Sequence, residues 1–261
     1  MKINKCRNAF AALVMTVCSG LGAAEALRAQ DVVGGKTFQQ WSSAEVERLL
    51  TDSLWAKTQV IRIQRQGQPR SVAGGPDRPV FGEKDQLKGA EEPLDYRFTL
   101  RLYSALPVRQ ALVRQEQLKW GYDKRSAAEQ KAFDAQAKQL ILDCAVCAEN
   151  YVISVGFRST NSSGIDFIYQ WFGSATVPSI KGYVYLANER GERRDLVDFI
   201  PPKSPGDDVY FVFPRLDEKG QPLFTAADKK LLFFMADNSA KSITNFRLDI
   251  SRLIADGKVG F

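Results

Sequence analysis

One stretch decides the fold class: residues 96–103 read Tyr96-Arg97-Phe98-Thr99-Leu100-Arg101-Leu102-Tyr103. Large apolar side chains alternate with arginine and threonine along it, so that aromatic and leucine side chains share one face. A period of two is typical of an antiparallel strand with one buried face and one solvated face. The stretch therefore predicts a sheet whose inner face packs against a core.

The C-terminal half of the chain repeats this kind of short apolar segment. Predicted strands lie at residues 151–157, 183–187, 196–200, 209–213, 230–236 and 243–250, with turn residues at 188–191, 201–207 and 218–220. Residues 165–172 fit either a short helix or a strand, because their periodicity favours neither. Regular short strands with such turns predict an antiparallel β-sandwich, immunoglobulin-like or similar.

Helical signals come earlier in the chain. Ser42 and Glu45 have the spacing of a capping box at the start of a short amphipathic helix, and a strand pattern follows from residue 60. Residues 105–143 predict a helical hairpin between early strands, since Pro107 suits a first helical turn and Gly121 separates the two helices. The predicted fold class is thus mainly β with an α insertion.

Residues 65–94 differ from their surroundings. They contain nine Gly or Pro among 30 residues, which predicts a long flexible loop. The chain before this loop is too short to hold a core of its own. We therefore expect residues 27–261 to form a single β-sandwich domain, with the loop as an insertion.

The N-terminus has the pattern of a secretory signal peptide, predicted to span residues 1–26. Basic residues precede an apolar run and small residues, and Ala24-Glu25-Ala26 fits a cleavage site. Lipidation at Cys18 is the alternative. The run is shorter than the roughly 20 residues that cross a bilayer, so no transmembrane anchor is expected. Cleavage removes three positive charges and Glu25, which lowers the formal charge from +6 to +4.

Cleavage leaves two cysteines, Cys144 and Cys147, and a close pair in an exported protein is expected to form a disulfide. The predicted hairpin runs into Cys144, which places the pair at a helix C-terminus, where the helix dipole disfavours a thiolate. We therefore predict a structural disulfide. A redox-active pair and a partial metal site are the alternatives.

The sequence contains no histidine, which excludes histidine-based triads and histidine-ligated zinc or haem. A carboxylate pair remains a candidate for hydrolysis, and the available aspartates are Asp95, Asp166, Asp195, Asp198, Asp207 and Asp208. Most of them lie beside turn residues or opposite charges, which favours a structural role. No motif supports a cofactor or a metal ion. Basic clusters are mixed with acidic residues, so nucleic-acid binding is not expected.

Aromatic residues are the candidates for a binding surface. Trp41 and Trp55 flank the first helix, whereas Tyr169, Trp171 and Phe172 crowd together later in the chain. Exposed rings of this kind stack on sugars or dock partner proteins, and buried rings fill a core. Exposure of Trp171 would favour the binding interpretation.

Three strings carry a resemblance: Trp41-Ser-Ser-Ala-Glu-Val46 with Leu54-Trp-Ala-Lys57, Ser104-Ala-Leu-Pro-Val-Arg-Gln-Ala-Leu112, and Asp249-Ile-Ser-Arg-Leu-Ile-Ala-Asp-Gly-Lys258. Together they resemble exported bacterial proteins, some of which are described as GWxTD-domain-containing. The Gly-Trp-x-Thr-Asp string itself is absent, and the segment Lys119-Trp-Gly-Tyr-Asp123 shares only part of it. The resemblance implies a secreted or envelope-associated protein and assigns no catalytic residue.

The sequence therefore predicts an exported, periplasmic or extracellular protein that binds a protein or glycan partner at the cell envelope without catalysis. The edge strands, the hairpin or the loop at 65–94 are the expected contact surfaces. The alternative is a carboxylate-dependent hydrolase that acts on extracellular glycans. Such an enzyme requires two carboxylates about 5–10 Å apart across a cleft.

Overall fold

A computed structural model describes residues 35–63, 94–159, 162–204, 206–236, 242–255 and 258–261. The predicted signal peptide, and the predicted loop except for Leu94, lie outside the described residues. The strands within these ranges are β1 (Ala56–Ile63), β2 (Leu94–Leu102), β3 (Asn150–Ser159), β4 (Val184–Asn188), β5 (Arg193–Asp195), β6 (Asp198–Ile200), β7 (Val209–Pro214), β8 (Lys230–Ala236), β9 (Ser242–Asp249), β10 (Ile254–Ala255) and β11 (Lys258–Val259).

The helices of the same ranges are α1 (Ser43–Thr51), α2 (Leu106–Trp120), α3 (Ala127–Ala137), α4 (Val146–Glu149), α5 (Ser162–Ser174) and α6 (Val177–Ile180). Three 3₁₀ turns lie at Phe38–Gln40, Tyr122–Lys124 and Ser251–Leu253, and a π-helical turn at Lys138–Leu142 extends α3. The segment that the sequence left open between helix and strand is α5.

Most strands belong to two antiparallel sheets. One has the order β1-β2-β3-β7-β6 and the other β5-β4-β8-β9, while β10 and β11 form a separate pair. The prediction of a mainly antiparallel β fold with helices is confirmed. The predicted strand at 196–200 differs: buried Leu196 lies between β5 and β6, which belong to different sheets. The chain passes from one sheet to the other at this point.

The core lies against the inner faces of the sheets. Phe98, Leu100 and Leu102 of β2 are all buried, as their alternation predicted. The ring centroids of Phe211 in β7 and Phe233 in β8 are 5.5 Å apart, so the two sheets contact each other through aromatic side chains. Burial of such large rings supplies much of the stabilisation of a core.

The predicted capping box is present at the start of α1. Ser42 N donates to Glu45 Oε2 at 2.8 Å, and Glu45 N donates to Ser42 Oγ at 3.3 Å. Lys36 Nζ donates to Glu45 Oε1 at 2.7 Å, and this hydrogen bond together with those from Ser42 lowers the pKa of Glu45 to about 2. Trp41 and Val46, each 2% exposed, flank the box and anchor α1 to the core.

The predicted hairpin is formed by α2 and α3. Helix α2 has a proline in its first turn and ends at Gly121, whose φ of 70° is a left-handed conformation that favours glycine. Trp120 of α2 stacks on Phe133 of α3 with 5.4 Å between the ring centroids. The hairpin continues into the π-helical turn rather than ending with α3.

Candidate functional site

Three of the five predicted surface aromatics lie in the core. Trp41 is 2% exposed, Trp55 is 1% exposed and Phe172 is fully buried. The prediction of a binding surface is therefore wrong for these three residues. The physical reason is the large apolar area of their rings. Removing this area from water stabilises the folded protein, and large rings contribute most to this stabilisation.

The other two aromatics, Tyr169 and Trp171, are half-buried and pack against buried phenylalanine rings. The Tyr169 ring lies 5.1 Å from Phe157, and the Trp171 ring lies 4.6 Å from Phe172. The Tyr169 hydroxyl accepts a hydrogen bond from the main-chain N–H of Asp207 at 3.3 Å, and burial raises the pKa of Tyr169. Tyr169 and Trp171 thus pack against the edge of the core, with only part of each ring facing outward.

Asp208, one of the candidate catalytic carboxylates, lies in a polar cluster on one face of the five-stranded sheet. Arg101 Nη1 donates to Asp208 Oδ2 at 2.5 Å, and Ser154 Oγ donates to the same oxygen at 3.1 Å. The side chains of Arg101 and Asp208 are each 15% exposed. A carboxylate that accepts from an arginine and a hydroxyl makes charge-assisted hydrogen bonds, which contribute to the folded structure.

The other candidate carboxylates lie at turns, in ion pairs or on the surface. Asp207 accepts hydrogen bonds from the main-chain N–H groups of Lys203 and Ser204. Asp195 pairs with Arg193 at 2.7 Å, and Asp198 accepts from the main-chain N–H of the next residue at 2.8 Å. Asp166 is exposed on α5, and Asp95 lies in β2. Apart from Asp95, which is half-buried within its strand, these residues have positions typical of turn and surface aspartates.

Buried polar side chains of α2 join this helix to α3 and to neighbouring segments of the chain. Arg114, whose side chain is 7% exposed, donates from Nε to the main-chain oxygen of Trp41 at 3.0 Å and from Nη2 to Asp123 at 3.2 Å. Gln117 is fully buried and donates from Nε2 to Asp134 Oδ1 at 3.2 Å. Such hydrogen bonds to charged groups contribute about 1.5–3 kcal/mol each. The Gln117 bond holds α2 against α3, whereas the Arg114 bonds hold α2 against the chain at Trp41 and against the turn that follows α2.

Tyr122 completes this network at the turn of the hairpin. Its hydroxyl donates to Asp134 Oδ2 at 2.7 Å. Burial and this hydrogen bond raise the pKa of Tyr122 to about 12, so the hydroxyl keeps its proton throughout the physiological range. Both carboxylate oxygens of Asp134 therefore accept hydrogen bonds from within the hairpin.

A cleft of about 320 Å³ lies between α2, the end of α3 and the 3₁₀ turn Phe38–Gln40. Its lining is mainly apolar, with a few polar side chains: Phe38, Gln39, Leu106, Val113, Asp134, Ala137, Lys138, Leu142 and Asp143. The sequence analysis missed this cleft, because its walls come from segments about 100 residues apart in the chain. We call it the hairpin cleft.

The π-helical turn shapes one wall of the hairpin cleft. Asp143 N donates to the main-chain oxygen of Lys138 at 2.7 Å, a hydrogen bond across five residues. Turns of this type inside helices are rare and occur frequently at functional sites. The Lys138 and Asp143 side chains are 70% and 61% exposed, and their Nζ and Oδ2 atoms are 3.8 Å apart. A pair so exposed contributes little to stability, so both charges are accessible to a partner.

Cys144 and Cys147 form a disulfide with 5.3 Å between their Cα atoms. The predicted position at a helix C-terminus is wrong for Cys147. This residue lies in the short helix α4, which comes directly before β3. Cys147 is 5% exposed and Cys144 is half-buried. Arg215 donates from Nε and Nη2 to the main-chain oxygen of Cys147 at 3.2 and 2.9 Å. The disulfide follows the last two cleft residues, Leu142 and Asp143, in the chain.

Comparison with known proteins found no family model, curated protein or solved structure that matches this chain. Among the described helices, none combines the length and apolar character needed to cross a membrane. Nor do three or more Cys, Asp or Glu side chains come together as candidate metal ligands anywhere in the described ranges.

Proposed function

We propose that the protein is a non-enzymatic binding protein of the bacterial cell envelope and that the hairpin cleft receives an apolar side chain of a partner protein. The cleft carries this proposal. Its volume of about 320 Å³ lies at the lower end of the range for ligand sites, about 300–1,000 Å³. Location at the envelope rests on the signal-peptide pattern of residues 1–26.

The chemistry of the lining favours a protein partner over a glycan. Phe38, Leu106, Val113, Ala137 and Leu142 supply an apolar surface. A sugar ring requires many hydrogen-bond partners and usually an aromatic platform, whereas an apolar side chain requires only a dry, shaped surface. The cleft contains a single aromatic ring, so it suits an aliphatic or aromatic side chain better than a sugar.

Charged side chains at the edge of the hairpin cleft, which we call the rim, add specificity for the partner. Lys138 and Asp143 are highly exposed, whereas Asp134 accepts hydrogen bonds from Gln117 and Tyr122. Charged groups at the edge of an interface mainly select the partner and its orientation, while the apolar centre supplies affinity. We expect the partner to place charges of both signs beside its inserted side chain.

The two sheets support the hairpin in this proposal. We propose that they form a β-sandwich, immunoglobulin-like or similar, within a single domain from residue 27 to residue 261. Buried hydrogen bonds hold the segments that line the hairpin cleft, since Gln117 joins α2 to α3 and Arg114 joins α2 to the chain at Trp41. A preformed site loses less entropy on binding than a flexible one.

The first experiment tests whether the hairpin cleft accepts an apolar group. The neutral fluorophore N-phenyl-1-naphthylamine is titrated into the wild-type protein and into Ala137→Phe, whose new ring fills the cleft. The matched control is Ala135→Phe, on the same helix but with an exposed side chain. We expect at least about tenfold weaker binding for Ala137→Phe only. Equal affinity in all three proteins would refute the site.

The second experiment tests the protein partner. A benzophenone amino acid in place of Lys138, on the rim, should form a crosslink to one envelope protein under ultraviolet light. Ala137→Phe should abolish this crosslink and Ala135→Phe should preserve it. Crosslinking that survives Ala137→Phe would show that the partner binds elsewhere.

A further inference from the structure

We infer that the Cys144–Cys147 disulfide is a thiol–disulfide exchange site that accepts electrons from a dithiol protein. This inference goes beyond the proposed binding function and does not depend on it, because it rests on the two cysteines and their surroundings. It replaces the purely structural role that the sequence predicted.

The disulfide contributes little to the stability of the folded protein. The stabilisation that a crosslink gives by restricting the unfolded chain grows with the length of the loop it closes, and here the cysteines are only three residues apart. The main chain already holds this turn, since Cys147 N donates to Cys144 O at 3.1 Å and Ala148 N donates to Ala145 O at 3.2 Å. The turn should therefore persist without the bond between the sulfurs.

The two cysteines differ in accessibility. Cys144 is half-buried and Cys147 is 5% exposed. Exchange begins when an incoming thiolate reaches one sulfur of the disulfide, and the more accessible sulfur is the one attacked. The geometry thus makes Cys144 the site of attack and Cys147 the leaving group.

The surroundings of the disulfide favour both the approach of a partner to Cys144 and the departure of Cys147. Ala145, Val146 and Ala148 are exposed, and Val146 is 46% exposed, so small apolar side chains that are open to a partner adjoin the two cysteines in the chain. The guanidinium group of Arg215 lies against the main chain of Cys147. This contact places a positive charge beside the backbone of the leaving residue, and a cation close to a thiolate stabilises it.

The reaction balances in two steps. The thiolate of a reduced dithiol protein attacks Cys144 Sγ, a new disulfide forms between the partner and Cys144, and the bond to Cys147 breaks to leave a thiolate that takes up a proton. The partner's second thiolate then attacks the partner's first sulfur, which is bonded to Cys144 Sγ in the mixed disulfide. Cys144 is released as a thiolate, which is also protonated. Two electrons pass to this protein, and the partner becomes the disulfide.

The test uses the full chain with Cys6 and Cys18 replaced by alanine, so that only the pair can react. Dithiothreitol serves as the dithiol, and thiols are counted by maleimide labelling with and without denaturant. We expect the folded protein to be reduced within about tenfold of the rate of the unfolded chain, with an unchanged circular dichroism spectrum. Reduction only after unfolding, or loss of the fold on reduction, would overturn the inference.

Single variants test the roles of the two sulfurs. In Cys147→Ser the remaining Cys144 thiol should react with dithionitrobenzoate at least about tenfold faster than the Cys147 thiol of Cys144→Ser. Both variants lack the disulfide, so the comparison is made under conditions in which both are folded by circular dichroism. Equal rates in the folded variants would refute the assignment of Cys144 as the attacked sulfur.

Discussion

Gly156, in the middle of β3, allows the sharpest test of the packing beside the sheet. An added Cβ would lie 2.7 Å from Asp208 Oδ1 and 3.1 Å from Arg101 Nη1. Both distances are shorter than normal contacts, so Gly156→Ala must displace the ion pair of these two side chains. Glycine is required here for close approach rather than for backbone conformation.

The expected cost follows from the contacts that would be disturbed. Asp208 accepts hydrogen bonds from Arg101 and Ser154, and a bond of this charged kind is worth about 1.5–3 kcal/mol. Replacing glycine by alanine within a strand returns about 0.5–1 kcal/mol of conformational entropy. Loss of one such hydrogen bond therefore predicts that Gly156→Ala lowers the free energy of unfolding by about 0.5–2.5 kcal/mol.

The assay is reversible denaturant unfolding of four proteins in a double-mutant cycle. Asp208→Ala removes the obstructing carboxylate, so Gly156→Ala in that background should be neutral or slightly stabilising. Gly173→Ala is the control, since nothing lies within 4 Å of its added Cβ and the site is helical. It should be neutral or slightly stabilising, because Gly173 lies next to the last residue of α5. An equal cost of Gly156→Ala in both backgrounds would refute the reasoning.

Two further predictions concern the ends of the described chain. The pKa of Glu45, about 2 in the folded protein, lies below its ordinary value of 4.5, so the unfolded chain binds the proton first and this stabilisation is lost as the pH falls from about 4.5 towards 2. Glu45→Gln should flatten that part of a curve of unfolding free energy against pH, and an unchanged slope would contradict the assignment. Phe261 is 1% exposed and packs against Tyr151 and Phe224, so Phe261→Ala should cost about 3–5 kcal/mol in chemical denaturation. Phe261→Leu should cost clearly less, and equal losses would show that the ring does not fill the core.

Local patterns predicted the secondary structure well. The alternation in residues 96–102 corresponds to β2, and the Ser42 and Glu45 spacing corresponds to the cap of α1. Each of these features depends on residues that are close together in the chain. The boundary between β5 and β6 was missed, because the apolar pattern at 196–200 does not record that Leu196 lies where the chain changes sheets.

The candidate site was less accessible to sequence reasoning. Aromatic side chains suit cores and interfaces equally well, so the sequence could not decide that Trp41, Trp55 and Phe172 are buried. The hairpin cleft likewise left no local signal, since Phe38 and Leu142 lie far apart in the chain. The exposure of the two cysteines depends on how α4 packs and could not be read from their spacing.

The sequence by itself therefore determined the antiparallel strands, the capped helices, the close cysteine pair and the absence of histidine, because each depends on composition or on neighbouring residues. Only the tertiary structure decided which aromatics are buried, where the hairpin cleft opens, and that Arg101 pairs with Asp208 across 107 residues. Such contacts are set by the packing of whole elements, whose free energy is shared among many distant residues.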